Sequence, residues 1–296
     1  ILKQNNHIDI NIVALGDSKK MVFNEHGIDL IGWRDRLNFS PLEMDMEKFV
    51  KEMKRLNMRN AVFVDCTAEE DMVLSYDEIL KASASLVTAN KEGCTGRYDD
   101  YLGFKTCARK NGRRFLYETN VGAALPIIRT IKDLINSGDK ILKIEAVLSG
   151  TLSYIFNMLD EKTAFSSLVR RAQEMGYAEP DPRNDLNCRD VAKKILILAR
   201  ESGATLEMED VAVEALIAER YFETDSVDAF LEGIQGCDEI FEEKRKRAVT
   251  QGKKLRYIAR YEKLEKLISK TKLNNSLKEN ELISVLNLNE SLDEQN

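Results

Sequence analysis

Asp190 and Lys194 lie four residues apart in the run Arg189-Asp-Val-Ala-Lys-Lys-Ile-Leu-Ile-Leu-Ala-Arg200. On a helix that spacing sets a carboxylate beside an ammonium. Such a pair is usually a solvated surface contact worth about 0.3–0.5 kcal/mol. A helical wheel argues for more. With Asp190 at zero and about 100° per residue, Lys194 falls at about 40°, Leu198 at about 80°, Val191 at about 100° and Ile197 at about 340°. The pair is thus flanked by apolar side chains, while Arg189, Lys193 and Arg200 fall on a separate charged face. A half-buried lysine held by an aspartate can bind an alcohol oxygen or take its proton. The acid–base site and the surface pair both stay open as readings.

Just upstream, Glu179-Pro-Asp-Pro-Arg-Asn-Asp185 gathers two of the four prolines and three carboxylates. Each X-Pro step drives the preceding residue toward extended backbone. The loop is either a rigid acidic clamp for a cationic group, such as a substrate ammonium, or a solvated approach favoured by the dipole of the next helix. Lys91 closes Thr88-Ala-Asn-Lys91, and Gly16-Asp17-Ser18-Lys19-Lys20 closes another apolar run. At such a place an Asp can bind ribose hydroxyls, and Ser or Lys can accept a 2′-phosphate. No G-x-G-x-x-G occurs anywhere in the chain. Tyr117-Glu-Thr-Asn-Val-Gly-Ala-Ala-Leu-Pro126 is small and apolar around one acid, Glu118. It reads as a tight strand-to-helix turn or as a source of backbone carbonyls for a hard monovalent cation.

The elements that must position these groups alternate in the first third. Strands are expected at 8–15, 60–65 and 85–88, and helices at 47–56 and 76–84. Short apolar strands separated by amphipathic helices predict a parallel sheet. Ligands of such sheets sit at the carboxyl ends of the strands, here Gly16-Asp17-Ser18, Asp65-Cys66-Thr67 and Thr88 to Lys91. Further on, the pattern predicts helices at 126–136, 152–159, 163–175 and 189–202, and strands at 143–148 and 255–261. Gly176 and Gly203 serve as helix stops. The residues from Lys253 onward contain no Gly or Pro and fit strands with polar loops or a frayed helix equally well.

The 296 residues amount to about two domains. With 43% hydrophobic and 32% charged residues, the composition is globular and excludes a disordered chain, a collagen and a membrane protein. A net charge of −6 gives no pull toward nucleic acid or an anionic membrane. Two histidines, His7 and His26, disfavour His-based metal sites and triads. Five widely spaced cysteines without C-x-x-C fit free thiols in a reducing cytoplasm. The longest apolar run, Ile195 to Ala199, is far short of the roughly 20 residues that cross a bilayer.

Taken together, several stretches resemble homoserine dehydrogenase, most closely the dehydrogenase half of bifunctional aspartokinase/homoserine dehydrogenases. They are Val64-Asp-Cys-Thr67, Thr88-Ala-Asn-Lys91, Phe115-Leu-Tyr-Glu-Thr-Asn-Val-Gly-Ala123, Leu148-Ser-Gly-Thr-Leu-Ser-Tyr-Ile-Phe156 and Glu174-Met-Gly-Tyr-Ala-Glu-Pro-Asp-Pro-Arg183. The last continues through Asp185-Leu-Asn187 to Asp190-Val-Ala-Lys-Lys194. The resemblance implies an α/β fold: a Rossmann-like nucleotide-binding domain, incomplete here, over 1–117, then an α+β substrate and dimerisation domain over 118–262. Residues 263–296 are unassigned.

The implied reaction is reversible hydride transfer between L-homoserine and L-aspartate 4-semialdehyde with NADP or NAD, in threonine and methionine biosynthesis. Lys194 and Lys91 would touch the reacting oxygen, with Asp190 orienting. Glu179 and Asp185 would bind the substrate ammonium, with Tyr177, Gly150 and Thr151 completing the substrate site. Asp17, Ser18, Lys19, Thr67 and Lys91 would face the cofactor. Glu118, with the carbonyls of Val121, Ala123 and Leu125, would hold a sodium-like cation. A homodimer or tetramer and a fused aspartokinase half are implied partners. Glu92, Ala124, Asn184 and Cys188 depart from the usual pattern, the last two inside the substrate loop. The missing Gly-rich turn leads us to expect a further N-terminal βα unit of about 25–30 residues. A catalytically silent regulatory or dimerisation fragment is the alternative.

Overall fold

The computed structural model describes residues 2–82, 84–263 and 281–287. The chain divides into two units, Ile1–Gly93 with Asp99–Tyr117, and Cys94–Tyr98 with Glu118–Asn296.

In the first unit, β1 (Ala14–Gly16) and β2 (Met21–Phe23) form an antiparallel hairpin. β3 (Val62–Asp65), β4 (Ser85–Thr88) and β5 (Phe115–Leu116) form a parallel sheet in that order. Period-two burial in β4 sends Leu86 and Thr88 inward. The helix Met46–Leu56 starts at Asp45, whose carboxylate accepts the Lys48 N–H, and buries Phe49 and Val50. Tyr76, Phe104 and Phe115 meet edge to face in the core beneath the sheet.

The strand expected over 8–15 is corrected. Only Ala14–Gly16 is extended and paired, and its partner is antiparallel. The cause is local. The Asp17 carboxylate accepts the amides of Lys19 and Lys20 at 2.8 and 2.7 Å, closing a turn that folds Met21–Phe23 back onto β1. Asp17, Ser18 and Lys19 therefore occupy the exposed tip of a hairpin, not the carboxyl end of a parallel strand.

In the second unit, β6 (Lys143–Ala146), β7 (Val211–Val213), β8 (Tyr257–Lys263) and β9 (Glu281–Asn287) form a sheet of order β6-β8-β9-β7. Its β7–β9 pair is parallel and the other two are antiparallel. Alternate residues Tyr257, Ala259 and Tyr261 of β8 point into the core. The helix Arg189–Glu201 packs against β7 and β8 with Val191, Ile195, Leu196 and Leu198 buried. The undecided segment after Lys253 thus supplies two strands; residues 264–280 and 288–296 lie outside the described residues. Arg200 is also corrected: placed on an outer charged face by the wheel, it is only 3% exposed. No described helix is long and apolar enough to cross a membrane.

Candidate active site

β6 ends at Ala146, and two residues later the Leu148 carbonyl and the Ser149 hydroxyl open the helix Gly150–Met158. Ser149 caps it by accepting the Leu152 N–H at 3.1 Å. The helix Phe165–Glu174 stops at Gly176, whose φ of +70° reverses the chain into Tyr177-Ala-Glu179. The Gln173 side chain holds the proline loop by donating to the Pro180 carbonyl at 2.8 Å. A single turn, Arg183–Leu186, then leads through Cys188 to the helix Arg189–Glu201. Cys188 is left-handed at φ +60°, which favours glycine there on steric grounds. Burial pushes its thiol up to about 11.

These pieces line a cavity of about 680 Å³, with Ser149, Gly150, Thr151, Tyr177, Glu179, Asp185, Asp190 and Lys194 in its wall. Lys194 Nζ lies 2.7 Å from Asp190 Oδ2 and donates to the Leu148 carbonyl at 2.8 Å. An ammonium has three N–H donors, so one is left for a ligand. The Lys194 side chain is 20% exposed and that of Asp190 48% exposed. This is the half-buried arrangement that the apolar flanks predicted. Across the cavity, the exposed Glu179 carboxylate has no hydrogen-bond or ion-pair partner among the described residues.

Asp185 accepts the Glu179 N–H at 2.8 Å with one oxygen and faces the Thr151 hydroxyl at 2.7 Å with the other. The same hydroxyl lies 2.7 Å from the Tyr177 carbonyl. A hydroxyl has one proton, so one of these two acceptors is always short of a donor. Gly150 leaves room for a ligand, because a Cβ there would meet nothing within 4 Å. The Tyr177 ring packs against Tyr154. Asp181, the third carboxylate of the loop, is not available. Arg183 grips it through two nitrogens, holding its carboxyl below the usual range, and also donates to the Thr224 carbonyl.

Thr67 and Lys91 belong to the first unit, at the ends of β3 and β4. Those ends lie side by side, Asp65 in register with Thr88. A buried network fixes the turns. The Tyr76 hydroxyl donates to Asp65 at 2.6 Å and lies 2.9 Å from the Thr88 hydroxyl. Asp65 also accepts the Thr67 N–H, and Asn90 donates to Thr67 and to the Glu69 carbonyl. Gly93 is obligatory here, since a Cβ would fall 2.5 Å from the Tyr76 ring. Within this unit the network gathers Thr67 and Lys91 on one edge, whereas Asp17, Ser18 and Lys19 sit on the β1–β2 hairpin.

In the turn after β5, the Glu118 carboxylate accepts the amides of Ile128 and Arg129 and so caps the helix Ile127–Asn136. Gly122 and Ala123 are both left-handed, at φ +80° and +52°. The Leu125 carbonyl accepts the Ile127 N–H. Among the described residues, no group of three or more His, Cys, Asp or Glu side chains could hold a metal.

The sequence reading missed the Leu148 carbonyl, Gln173 and the Asp65–Tyr76–Thr88–Asn90 network. The only available signal was polar residues where apolar strands run out. A backbone carbonyl carries no residue-type signal at all.

The homoserine dehydrogenase family model matches residues 126–290, and that of the homoserine dehydrogenase NAD-binding domain matches residues 1–118. The chloroplastic bifunctional aspartokinase/homoserine dehydrogenase 1 of Zea mays is 39% identical over 87% of this chain. The bifunctional aspartokinase/homoserine dehydrogenase of Haemophilus influenzae is 37% identical over 86% of it. The chain spans 28% and 31% of the lengths of these two relatives. A crystal structure of a protein of unknown function from Candida auris superposes with a TM-score of 0.77 at 31% identity, covering 84% of this chain and 72% of that one. A homoserine dehydrogenase from Thermoplasma acidophilum shares the fold, with a TM-score of 0.63 at 16% identity, covering 99% of this chain and 78% of its own. With more than half of its length matched by the family model and relatives of 37–39% identity covering most of it, the chain belongs to the homoserine dehydrogenase family.

Proposed function

We propose that the protein interconverts L-homoserine and L-aspartate 4-semialdehyde with NADP or NAD. One observation carries the reading: a lysine ammonium with an unspent N–H and a carboxylate without a cationic partner line the same cavity. A substrate with an oxygen at one end and an ammonium at the other matches that polarity. The ammonium would bind at Glu179 and at the under-supplied acceptors, Asp185 and the Tyr177 carbonyl, beside Thr151 and Gly150. The C4 oxygen would receive the third Lys194 N–H, with Lys91 as a second contact.

In the oxidation direction the hydroxyl proton must leave as hydride leaves C4. Lys194 takes that proton as the neutral amine and becomes the ammonium, which Asp190 and the Leu148 carbonyl then hold. In reduction the same N–H polarises the aldehyde oxygen. A bound nicotinamide supplies the hydride acceptor or donor. The in-register ends of β3 and β4 fit such a cofactor, because open parallel sheets take ligands at their carboxyl edge. Thr67 and Lys91 would face it there, with Asp17, Ser18 and Lys19 contributing from the hairpin tip.

The tight curl at Gly122 and Ala123 supports a sodium-like cation held by Glu118 and the carbonyls of Val121, Ala123 and Leu125. It would brace the turn, and no chemical step runs through it. A fused aspartokinase, assembly as a homodimer or tetramer, and a cytoplasmic setting belong to the same proposal. The test is oxidation of NADPH and of NADH by the full-length protein, with and without aspartate 4-semialdehyde. Semialdehyde-dependent oxidation is expected. No turnover with either cofactor would overturn the reading in favour of a silent regulatory fragment.

A further inference from the structure

The Glu179 carboxylate bonds to no group among the described residues, so the backbone that carries it sets its place in the cavity. On the near side that backbone is well tied. Tyr177 and Ala178 both spend their N–H groups on the Ala172 carbonyl, at 2.8 and 3.1 Å, at the end of the helix Phe165–Glu174. The Glu179 N–H goes to Asp185 at 2.8 Å. On the far side donors run short, because Pro180 and Pro182 have no N–H to give.

Gln173 supplies the missing donor. Its side-chain amide donates to the Pro180 carbonyl at 2.8 Å, and its own carbonyl accepts the Gly176 N–H at 3.0 Å. One residue thus closes both sides of the reversal that follows the helix. Among the described residues, no backbone N–H reaches the Pro180 carbonyl. The proline ring fixes φ at 180, and anchoring the carbonyl beyond it restricts ψ as well. Glu179 is therefore gripped on both flanks, its own amide by Asp185 and the next carbonyl by Gln173. The later part of the loop is held separately, by Arg183 on the Thr224 carbonyl at 2.7 Å. All of these residues belong to the second unit.

We infer that Gln173 is a positioning residue: acting through the Pro180 carbonyl, it aims the Glu179 carboxylate at the substrate ammonium and so sets affinity for the amine end of the substrate. The inference rests on the proposed role of Glu179. Gln173 also lines the cavity, so direct contact with the substrate is the competing role. The two roles differ in how the losses combine.

The test uses the full-length protein with Gln173→Met, Gln173→Ala, Glu179→Gln and the double variant Gln173→Met/Glu179→Gln. Methionine keeps the length and the helix propensity of glutamine but has no N–H to donate. Gln173→Met should raise the homoserine KM by about 3- to 10-fold, bounded by the loss of one whole charged contact. The kcat and the NADPH dissociation constant should stay within about twofold of wild type, since neither reads the ammonium contact. In the Glu179→Gln background, Gln173→Met should change KM by less than about twofold, because a misaimed group cannot lose a contact already removed. Gln173→Ala, with the best helix former at a half-buried site, keeps the test open should Gln173→Met fail to fold. A wild-type KM in the folded Gln173 variants overturns the inference. So does a KM loss that multiplies in full with that of Glu179→Gln, which would mark direct contact, and so does an equal loss of NADPH affinity, which would mark a general structural role. Wild-type protein that turns over no homoserine overturns the functional reading, and the positioning role with it.

Discussion

The strand ends of the first unit and the cavity of the second both concentrate polar side chains, but they treat them in opposite ways. Asp65, Tyr76, Thr88 and Asn90 are buried and bonded to one another and to backbone. Buried polar groups are tolerated only when satisfied, and satisfied ones lock geometry. In the cavity, Glu179 and Asp190 are open to solvent, Lys194 keeps an unspent N–H, and Thr151 has one proton for two acceptors. The first network holds backbone turns in place; the second set of groups retains bonding capacity for a ligand. Polar density alone therefore does not mark a reacting site. Unspent hydrogen-bonding capacity does.

The contrast breaks most sharply at Lys194. Lys194→Ala should lower kcat by about 100-fold or more, the usual scale for an acid–base group, while the melting temperature stays near wild type. A variant with near-native kcat would remove Lys194 from the chemistry. Tyr76→Phe should do the reverse. It leaves a buried Asp65 oxygen without its best donor, so unfolding free energy should fall by about 1–3 kcal/mol. The KM for homoserine should hold. Urea titration alongside kinetics checks both, and a loss of substrate affinity without loss of stability would move the network into the substrate site.

Within the proline loop, Glu179→Gln should raise the homoserine KM by about tenfold, the cost of one charged contact. Cofactor affinity should not follow. A larger shift in the cofactor constant than in KM would place Glu179 at the wrong site. The smallest effect is expected from Asp181→Asn, at about 0.5–1 kcal/mol of stability at neutral pH and none on KM. Arg183 lowers the Asp181 carboxyl in the folded protein. Its stabilisation is therefore present above the unfolded carboxylate range and is lost as pH falls through the depressed folded value. Stability curves of wild type and variant should converge in acid. Curves that stay parallel down to acid pH would show that Asp181 contributes something other than this ion pair.

The helices and most strands were legible because burial follows period: β4 at 85–88 matches the expected run, and the helix at 189–201 ends one residue short of it. The 8–15 strand failed because an Asx turn at Asp17 competes with strand propagation, and turn chemistry is decided over two or three residues. Arg200 failed for a different reason. A wheel assigns faces by angle, but a guanidinium inside the fold is stable wherever enough carbonyls converge on it, and those came from residues about 100 positions away.

By itself the sequence determined the Asp190–Lys194 pair, since i,i+4 geometry is local and the apolar flanks fix how the helix faces the core. It also determined the stiffness of the Glu179–Asp185 loop, because proline restricts its neighbours wherever it stands. Only tertiary structure decided which carboxylates of that loop are available. Asp181 and Glu179 are chemically alike and two residues apart, yet one meets Arg183 and the other the open cavity. The arginine that takes Asp181 is local, but it is held in place by the Thr224 carbonyl, 41 positions away, and no residue carries that information in its own identity.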